Sequence, residues 1–549
     1  MPGAARFALL IAALFAASCV STSERSATVE LHLLAINDFH GNLESPQGGT
    51  RILDAQGQTQ RLGGGGSAAR LATLVAERRA AAPHAIMVAG GDLIGASPML
   101  SALFHDEPTV EAMGMMGLSL SAVGNHEFDE GAAELLRMQN GGCHPLDGCR
   151  GPAPFTGARY QYLAASTIVD ATGETLFPAS AVRTFDGIRV GFIGLTLEGT
   201  PEALSPAASA GLTFRDEIET INAEAARLRA QGIEAIVVLI HEGGARTAEP
   251  GDCPGLSGDI APIVEGLDAS VDVVVSGHTN GIYICRVGNA LLTSAGQYGA
   301  YLTDITLTLD RRTGDVVASA AQNIVVAETI AEDASVAAHV AAYSALAAPI
   351  RNRAVGAIAA PLPRARTDAG ESPLGLVIAD SMIAGVAREL GSRPDIAFMN
   401  PGGVRADLAS AGPVTLDDLF AVLPFGNDLM VLELTGAEIE TLLTQQFRGG
   451  ENNTILQISE GSRFAWRRTA SGGTLVPGSI VINGAPLDRA RTYRVVTNSF
   501  LAFGGDGFNA FAGERTRTVA GGDLAALETY VAAYSPLPAP SAPRVRIEQ

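Results

Sequence analysis

Short apolar runs alternate with polar loops from about residue 28 to residue 325. Five of these runs end in Gly, Asp, Asn or His, and they read VELHLLAINDFHG, HAIMVAGGDLIG, LSAVGNHEFDEG, EAIVVLIHEGG and VDVVVSGHTN. Stretches with helical periodicity lie between several of the runs, for example SAARLATLVAERRAA and ETINAEAARLRAQG. Strands that alternate with helices predict a layered α/β domain whose polar residues gather at the strand ends.

The chain has 549 residues, which is too long for one hydrophobic core, so we predict two large domains. The first spans residues 28–325. The Ala-rich segment AEDASVAAHVAAYSALAAPIRNRA predicts a helical linker over residues 326–350, and a second α/β domain follows over residues 351–549. After residue 19 we find no apolar stretch long enough to span a membrane.

The first 19 residues, MPGAARFALLIAALFAASC, have the pattern of an export signal: one Arg, an apolar run and then small residues. Their end also resembles a bacterial lipoprotein box with Cys19 as the lipidated residue, although Ala replaces the usual Leu. The alternative is an ordinary cleaved signal. The protein is therefore predicted to be exported, either to the periplasm or to the outer membrane or cell surface as a lipoprotein.

Four cysteines remain after Cys19, and an even number in an exported chain suggests disulfides with three possible pairings. Cys143 and Cys149 flank the short, turn-rich segment HPLDG, so we pair them and leave Cys253 with Cys285. A zinc site through His144 is the alternative, but the sequence offers no second ligand pair at suitable spacing.

The composition, with 47% hydrophobic and 17% charged residues, is that of a globular protein. The formal net charge of −21 argues against a nucleic-acid polymer as a partner, since such a partner requires a basic surface. A small anionic substrate remains compatible with this charge, because a bound metal supplies positive charge locally.

The polar residues at the five strand ends form a candidate metal site. They are Asp38, His40, Asp92, Asn125, His126, His241, His278 and Asn280. Asp, His and Asn without Cys suit hard or borderline divalent cations. A lone His beside a strand is usually structural, but chance does not readily repeat it at five strand ends. Two ions about 3.5–4 Å apart need a bridging carboxylate, for which Asp92 in GGDLIG is the candidate.

The segment VGNHEFDEG also has an interpretation without chemistry. Asn125 could cap a helix whose first turn carries acidic residues that interact with the helix dipole. Considered alone, the segment does not decide between the cap and the metal site. The Gly-rich segments GGDLIG and RLGGGGSAAR lack the Gly-Lys-Ser/Thr ending of a P-loop, so we do not predict a nucleoside-triphosphate cradle.

The motifs NDFHG, GGDLIG, GNHEFDEG, IHEGG and SGHTN, in this order, resemble those of calcineurin-like metallophosphoesterases. More narrowly, the chain resembles the secreted 5′-nucleotidases over nearly its whole mature length. The resemblance implies an N-terminal four-layer α/β/β/α sandwich and a second α/β domain that recognises the nucleotide. It also implies two divalent metal ions, whose identity among zinc, manganese, magnesium, cobalt and calcium stays open.

The resemblance assigns the metal ligands to two groups that share Asp92. Asp38, His40 and Asn280 would hold one ion, and Asn125, His241 and His278 would hold the other. Many phosphoesterases have a second His where SGHTN has Asn280, but nucleotidases of this group carry an amide there.

The catalytic residues implied by the resemblance follow Asn125 directly. His126 would act on the substrate phosphate or protonate the leaving oxygen, and Asp129 would orient the His126 ring.

The second domain contains FMNPGGVRADL, LPFGNDLM and NSFLAFGGDGF, which resemble the segments that hold the nucleoside in this family. By this resemblance Asn400 and Arg405 would bind polar groups of the substrate, Phe425 and Phe500 would sandwich the base, and Asp506 would bind the ribose. Core packing is the alternative for the two Phe residues.

Two departures from the family pattern affect the substrate site. Pro401 stands where many relatives have Gly. Arg364 and Arg366 are only candidates for a further substrate-binding Arg, because PRARTDAGESPLG does not align cleanly with the family segment.

The predicted function is that of an exported two-metal phosphohydrolase that acts on nucleoside 5′-monophosphates, with nucleotide sugars such as UDP-sugars as further candidate substrates. One alternative is a 2′,3′-cyclic-nucleotide 2′-phosphodiesterase and 3′-nucleotidase. A second, of another class, is a catalytically inactive nucleotide-binding surface protein. The predicted partner is a small nucleotide, any membrane contact would come from the lipid anchor alone, and the oligomeric state stays open.

Overall fold

The structure is a computed structural model that describes residues 26–46, 49–53, 59–204, 207–246, 255–448, 453–470, 472–513 and 515–548. Cys19 and Cys253 lie outside the described residues. The export signal, the lipidation of Cys19 and the pairing of Cys253 with Cys285 therefore stay predictions.

Eighteen strands and eight α-helices precede residue 352 in the described part of the chain. The strands are β1 (Thr28–Ile36), β2 (Thr50–Leu53), β3 (Thr59–Leu62), β4 (Ala85–Ala89), β5 (Leu118–Ala122), β6 (Gln161–Leu163), β7 (Thr167–Val169), β8 (Ser180–Phe185), β9 (Ile188–Thr196), β10 (Leu212–Phe214), β11 (Ala235–His241), β12 (Ala245–Arg246), β13 (Leu256–Ser257), β14 (Val273–Val275), β15 (Ile282–Val287), β16 (Ala290–Ala295), β17 (Tyr301–Asp310) and β18 (Val316–Val325). The helices are α1 (Ala68–Ala81), α2 (Met99–Ala102), α3 (Glu107–Met116), α4 (Ala132–Asn140), α5 (Thr200–Ala203), α6 (Glu217–Ala230), α7 (Ile260–Glu265) and α8 (Ala334–Arg351).

Two six-stranded sheets form the centre of this part. Their strand orders are β18-β17-β1-β4-β5-β6 and β15-β16-β14-β11-β9-β8. Leu33, Val88 and Leu120 of the first sheet share one buried core with Phe192 and Val237 of the second. The alternation of apolar residues along β1 explains this, because one face of the strand must be buried between the sheets.

Helices cover the outer face of each sheet. Residues of α1 and α3 belong to the core on the outside of the first sheet, and residues of α6 and α7 belong to the core on the outside of the second. The predicted α/β/β/α sandwich is therefore confirmed. Parallel pairing joins β1 to β4 to β5 and β9 to β11 to β14, so the carboxyl ends of these strands share one edge of the sandwich.

Helix α8 follows the last strand of the sandwich and packs back on it. The Asp333 side chain accepts hydrogen bonds from the amides of Ser335 and Val336, which defines the start of the helix. The Tyr343 hydroxyl donates to Glu111 at 2.9 Å, and its ring lies edge-on to Phe104. At the end of the helix, Arg351 contacts carboxylates on either side of it, Glu44 and Asp417.

Twelve strands and five α-helices follow in the described residues. The strands are β19 (Ala354–Ile358), β20 (Ile396–Met399), β21 (Gly412–Thr415), β22 (Asp428–Thr435), β23 (Gln457–Ile458), β24 (Phe464–Arg467), β25 (Thr474–Leu475), β26 (Val481–Ile482), β27 (Ala485–Pro486), β28 (Thr492–Asn498), β29 (Thr518–Gly522) and β30 (Val545–Ile547). The helices are α9 (Pro373–Leu390), α10 (Leu416–Val422), α11 (Gly436–Thr444), α12 (Ser499–Ala502) and α13 (Asp523–Ala533).

The main sheet of this second part has the order β23-β20-β28-β22-β29. One face packs on α9 and α13, and the opposite face packs on α11 and the short strands β24 and β30. A mixed sheet covered on both faces is the predicted second α/β domain.

The disulfide between Cys143 and Cys149 is confirmed, with 4.6 Å between the two Cα atoms. In the described part of the chain, every helix is too short or too polar to cross a bilayer.

Burial between the two sheets predicts a large cost for removing an aromatic ring there. Phe192 is fully buried, so Phe192→Ala is expected to lower the free energy of unfolding by about 3–5 kcal/mol. Val317→Ala is the control, since this side chain is 58% exposed and its loss should change stability by less than about 0.5 kcal/mol. Urea unfolding followed by circular dichroism measures both. Equal midpoints for the two variants would contradict the packing described here.

Candidate active site

The five polar motifs meet at the shared edge of the sandwich. Asp38 and His40 follow β1, Asp92 follows β4, Asn125 and His126 follow β5, His241 ends β11, and His278 and Asn280 follow β14. Five of these residues have left-handed backbone conformations: φ is 48° at Asp38, 46° at His40, 49° at Asp92, 68° at His278 and 57° at Asn280. Such conformations are costly for residues other than Gly and are concentrated at functional sites.

Asp38, His40 and Asp92 form the first cluster of possible metal ligands. The His40 Nε2 atom lies 3.9 Å from an Asp38 oxygen and 3.6 Å from an Asp92 oxygen. The His40 Nδ1–H donates to the Gly95 carbonyl at 2.9 Å, so the Nε2 lone pair faces the carboxylates. The Asp38 Oδ1 atom is buried and has no hydrogen-bond partner. An orphaned carboxylate oxygen beside an available imidazole nitrogen fits a divalent cation.

Asp92, His241 and His278 form the second cluster. The His241 Nε2 atom lies 2.9 Å from an Asp92 oxygen, and the His241 Nδ1–H donates to the Gly90 carbonyl at 2.8 Å. His278 Nδ1 lies 3.0 Å from the Asn125 side-chain oxygen. Asp92 thus contacts both clusters, as the predicted bridging ligand would.

Small residues permit this close packing of ligands. A Cβ atom on Gly124 would lie 2.1 Å from an Asp92 carboxylate oxygen, and one on Gly277 would lie 3.0 Å from both Asp38 Oδ2 and His241 Nδ1. The glycines of VGNH and SGHT are therefore part of the site, because any side chain there would fill the space of the ligands.

Burial and neighbouring charges shift the pKa values of these groups in opposite directions. Burial lowers the pKa of His40 to about 3 and that of His278 to about 4, which favours the neutral, ligating imidazole. Burial raises the pKa of Asp38 to about 7. Burial also opposes protonation of His241, but the Asp92 carboxylate overcomes it and raises the pKa of His241 to about 10.

The donor set fits divalent cations, since two clusters of carboxylate and imidazole groups share one carboxylate. Asn280 lies in the loop after His278, as predicted. The ligand roles of these residues remain predictions.

His126 lies beside the two clusters. Its Nδ1 atom contacts both Asp129 oxygens, at 3.0 and 3.1 Å, and its backbone amide donates to Asp92 at 2.9 Å. Burial acts to lower the pKa of His126, but Asp129 and Asp92 raise it above the usual value. The helix-cap interpretation of this segment is wrong, because the Asn125 side chain makes no cap hydrogen bond to the short 3₁₀ helix His126–Phe128.

Two buried residues that the sequence analysis missed hold the site together. The Glu127 carboxylate accepts hydrogen bonds from the amides of Asp92, Leu93 and Gly124 at 2.7–2.9 Å, which ties two ligand loops together. Asn37 donates to Asp38 Oδ2 at 2.7 Å. A Glu or Asn inside a motif gives no local signal of such distant partners.

Two residues of the second part lie beside His126, and we call the space between the two parts of the chain at this point the crevice. The Phe425 ring stacks on the His126 ring, with 5.7 Å between the centroids and 19° between the planes. The Arg405 guanidinium lies 5.6 Å from the Phe425 centroid, and its charge acts to lower the pKa values of His126, His40 and His278. Phe425 is half-buried at this contact rather than part of a core.

The other predicted nucleoside-binding residues form a separate group. Asn400 Nδ2 donates to Asp506 at 2.9 Å, and Asn400 Oδ1 accepts from Asn498 at 3.0 Å. Phe500 is half-buried against Gly505, where an added Cβ would lie 2.6 Å from its ring. Asn427, which the sequence analysis also missed, accepts hydrogen bonds from the Ser499 hydroxyl and the Phe500 amide and so joins the Phe425 loop to Phe500.

Arg364 and Arg366 are both exposed and point to different neighbours. The Arg364 guanidinium lies 3.4 Å from the Val404 carbonyl, next to Arg405, whereas Arg366 donates to the Asn453 carbonyl. Arg364 is therefore the better placed of the two candidates.

Comparison with known proteins relates the second part of the chain to one family. The family described as "5′-nucleotidase, C-terminal domain" matches residues 352–513. Endonuclease YhcR of Bacillus subtilis is 31% identical over 477 residues, which cover 86% of this chain and 37% of YhcR. Cell wall protein Lmo0130 of Listeria monocytogenes is 33% identical over 530 residues, which cover 89% of this chain and 65% of Lmo0130. The chain thus spans less than two thirds of the length of either relative.

A solved structure agrees over both parts of the chain. The 5′-nucleotidase precursor of Thermus thermophilus has a TM-score of 0.75 and 26% identity, with 94% of this chain and 99% of that chain covered. Residues 352–513 thus match the C-terminal domain family of 5′-nucleotidases, and the chain is similar over both parts to a 5′-nucleotidase, a metal-dependent phosphoester hydrolase.

Glu127→Gln tests the tie between the ligand loops. The substitution keeps the shape but turns an amide N–H toward a backbone N–H, so we expect metal affinity to fall about 10–100-fold. Isothermal titration calorimetry of the chelator-treated protein with manganese measures the metal affinity. Glu77→Gln is the control, because Glu77 is exposed on α1. Unchanged affinity in Glu127→Gln would contradict the role of this carboxylate.

Proposed function

We propose that the protein is an exported two-metal phosphohydrolase that releases phosphate from nucleoside 5′-monophosphates. The observation that carries the proposal is the joining of two ligand clusters through Asp92, with His126 directly beside them. The match of residues 352–513 to the 5′-nucleotidase C-terminal domain family and the similarity to a solved 5′-nucleotidase support the reaction class.

The proposed ligands follow the two clusters. Asp38, His40 and Asn280 would hold one cation, Asn125, His241 and His278 would hold the other, and Asp92 would bridge them. When bound, the two divalent cations would supply Lewis acidity and would lower the pKa of water beside the phosphate.

The side chains of His126 and Asp129 carry the proton chemistry in this proposal. A proton on Nδ1 would be held by Asp129, so the opposite ring nitrogen, Nε2, would face the substrate. Because Asp129 and Asp92 raise the pKa of His126, its ring would also keep a proton on Nε2 for the leaving oxygen.

The second part would select the nucleotide. Phe425 and Phe500 would stack on the base, Asn400 and Arg405 would bind polar groups, and Asp506 would bind the ribose hydroxyls. Arg364 is a further candidate beside Arg405, and Arg366 lies apart from it. Stacking tolerates different bases, so this arrangement favours broad base acceptance.

Export is supported by the sequence of the first 19 residues and by similarity to a cell wall protein. We propose a periplasmic or cell-surface location, with any membrane contact made through lipid on Cys19.

Phosphate release from 5′-AMP by the signal-less protein tests the reaction. The chelator-treated enzyme should be inactive and should recover with manganese, zinc, magnesium or cobalt. His126→Ala should lower kcat by about 10²–10⁴-fold, because the proton donor is lost. Asp129→Asn should lower kcat less, since it leaves the imidazole in place.

Parallel substrates distinguish the alternatives. Faster cleavage of 2′,3′-cyclic AMP would assign the protein to the cyclic phosphodiesterases, and cleavage of UDP-glucose would extend the substrate range to nucleotide sugars. Single-stranded DNA is included because one relative is named an endonuclease. If the protein binds nucleotide but shows no turnover with each of the four metals, it is an inactive binding protein and the proposal is overturned.

Phe425→Ala tests base stacking separately. The base would gain at most about 1–3 kcal/mol from this ring, since His126 already contacts one of its faces, so KM for 5′-AMP should rise by up to roughly 5–150-fold. Phe503→Ala is the matched control, because Phe503 is 40% exposed and its ring contacts Arg517. Hydrolysis of p-nitrophenyl phosphate, which has no nucleoside, should change less than that of 5′-AMP. An equal change in both substrates would contradict a role in base binding.

A further inference from the structure

A second group of possible metal ligands lies outside the crevice. It consists of His105, Glu130, Glu134 and His144, whose ligand atoms all lie within 4.8 Å of one another. The four side chains come from three different segments: the loop before α3, the segment from Glu130 to α4, and the loop closed by the Cys143–Cys149 disulfide. The fold thus brings possible metal ligands next to His144 that lie far from it in the sequence.

The two imidazoles converge on one carboxylate. His105 Nδ1 lies 2.8 Å and His144 Nε2 lies 4.0 Å from the same Glu130 oxygen. The two rings stack with 3.8 Å between their centroids. Both His side chains are largely buried, with exposures of 15% and 13%, whereas the Glu130 side chain is 47% exposed. Two imidazoles and a carboxylate at one point form a donor set typical of zinc sites.

Asp147 prepares His105 as a ligand. The Asp147 carboxylate lies 2.9 Å from His105 Nε2 and would hold a proton there, so that Nδ1 could bind a cation in place of its present contact with Glu130. A carboxylate behind a histidine ligand is the usual way in which a metal site orients the ring. Arg150 contacts the other Asp147 oxygen at 3.0 Å and keeps this carboxylate in place.

The other two possible ligands, His144 and Glu134, already make hydrogen bonds that a bound cation would have to share or replace. The His144 Nδ1 accepts a 3.2 Å hydrogen bond from the Asp147 amide, which favours a proton on Nε2; binding of a cation by Nε2 would therefore require that the proton move to Nδ1 and that this hydrogen bond be lost. The Glu134 carboxylate is bound by Arg137 at 2.6–3.0 Å. A carboxylate has about four lone-pair positions, so Glu134 can contact a cation and the guanidinium together.

We propose that His105, His144 and Glu130, with Glu134 as a fourth ligand, bind a divalent cation of the zinc class separately from the two catalytic ions. The site is structural, because it joins the disulfide loop to two segments behind the crevice. Asp106, next to His105, accepts a hydrogen bond from the Gly95 amide, and the Gly95 carbonyl accepts one from His40. Glu130 directly follows Asp129.

Zinc content tests the proposal. The protein is stripped with chelator, reloaded with zinc, dialysed and analysed by inductively coupled plasma mass spectrometry. His105→Ala and Glu130→Gln should each bind one zinc ion per chain fewer than the wild type, whatever number of zinc ions the wild type binds. His84→Ala is the matched control, because His84 has a Phe185 ring as its neighbour and no ligand cluster among the described residues. Equal zinc content in all four proteins would overturn the proposal and leave an ion-pair cluster only.

A catalytic-site variant separates this ion from those in the crevice. In Asp92→Asn protein, zinc should still raise the thermal unfolding midpoint, and adding His105→Ala should abolish that rise. Zinc titration of the Asp92→Asn background should show at least tenfold weaker binding after loss of His105, and a smaller effect after loss of His144. If His105→Ala fails to fold, Glu130→Gln replaces it, because the Glu130 side chain is 47% exposed and its substitution should disturb packing less. A midpoint insensitive to zinc in Asp92→Asn protein would contradict a separate site.

Discussion

The burial of two neighbouring carboxylates is the constraint on which the first domain depends. Asp38 is fully buried and Asp92 is 1% exposed, and an unpaired charge in such a place costs several kcal/mol. Neighbouring imidazoles, the Asn37 side-chain amide and the His126 backbone amide lower this cost. The left-handed conformations at the ligand loops and the missing side chains at Gly124 and Gly277 follow from the same need, since every polar atom must converge on one small volume.

Much of the fold could be predicted from local sequence pattern. The alternation of apolar runs and helical stretches predicted the layered architecture because strand and helix periods depend on nearby residues. The polar motifs were predicted to meet because parallel strands bring their carboxyl ends to one edge of a sheet. The disulfide between Cys143 and Cys149 was accessible for a similar reason, as both cysteines flank one short turn.

The remaining features depend on partners far apart in the chain. Glu127 binds the Asp92 amide 35 positions away, and no property of GNHEFDEG distinguishes that role from a helix-cap role. The sequence neighbours of His144 do not suit a zinc site, whereas its neighbours in space include His105 and Glu130. Likewise, the position of Asn427 between Phe425 and Phe500 arises from the path of two loops, which residue type does not encode.

The stacked contact between Phe425 and His126 has a consequence for affinity. An aromatic ring has two faces, and the imidazole already occupies one of them at a nearly parallel angle. A base that used this face would exchange one stacked partner for another, so its net gain would be smaller than the roughly 1–3 kcal/mol of a fresh stack. In the free protein, His126 would then compete weakly with the base for the Phe425 ring. A base that displaced His126 from this face would also expose the imidazole to the substrate.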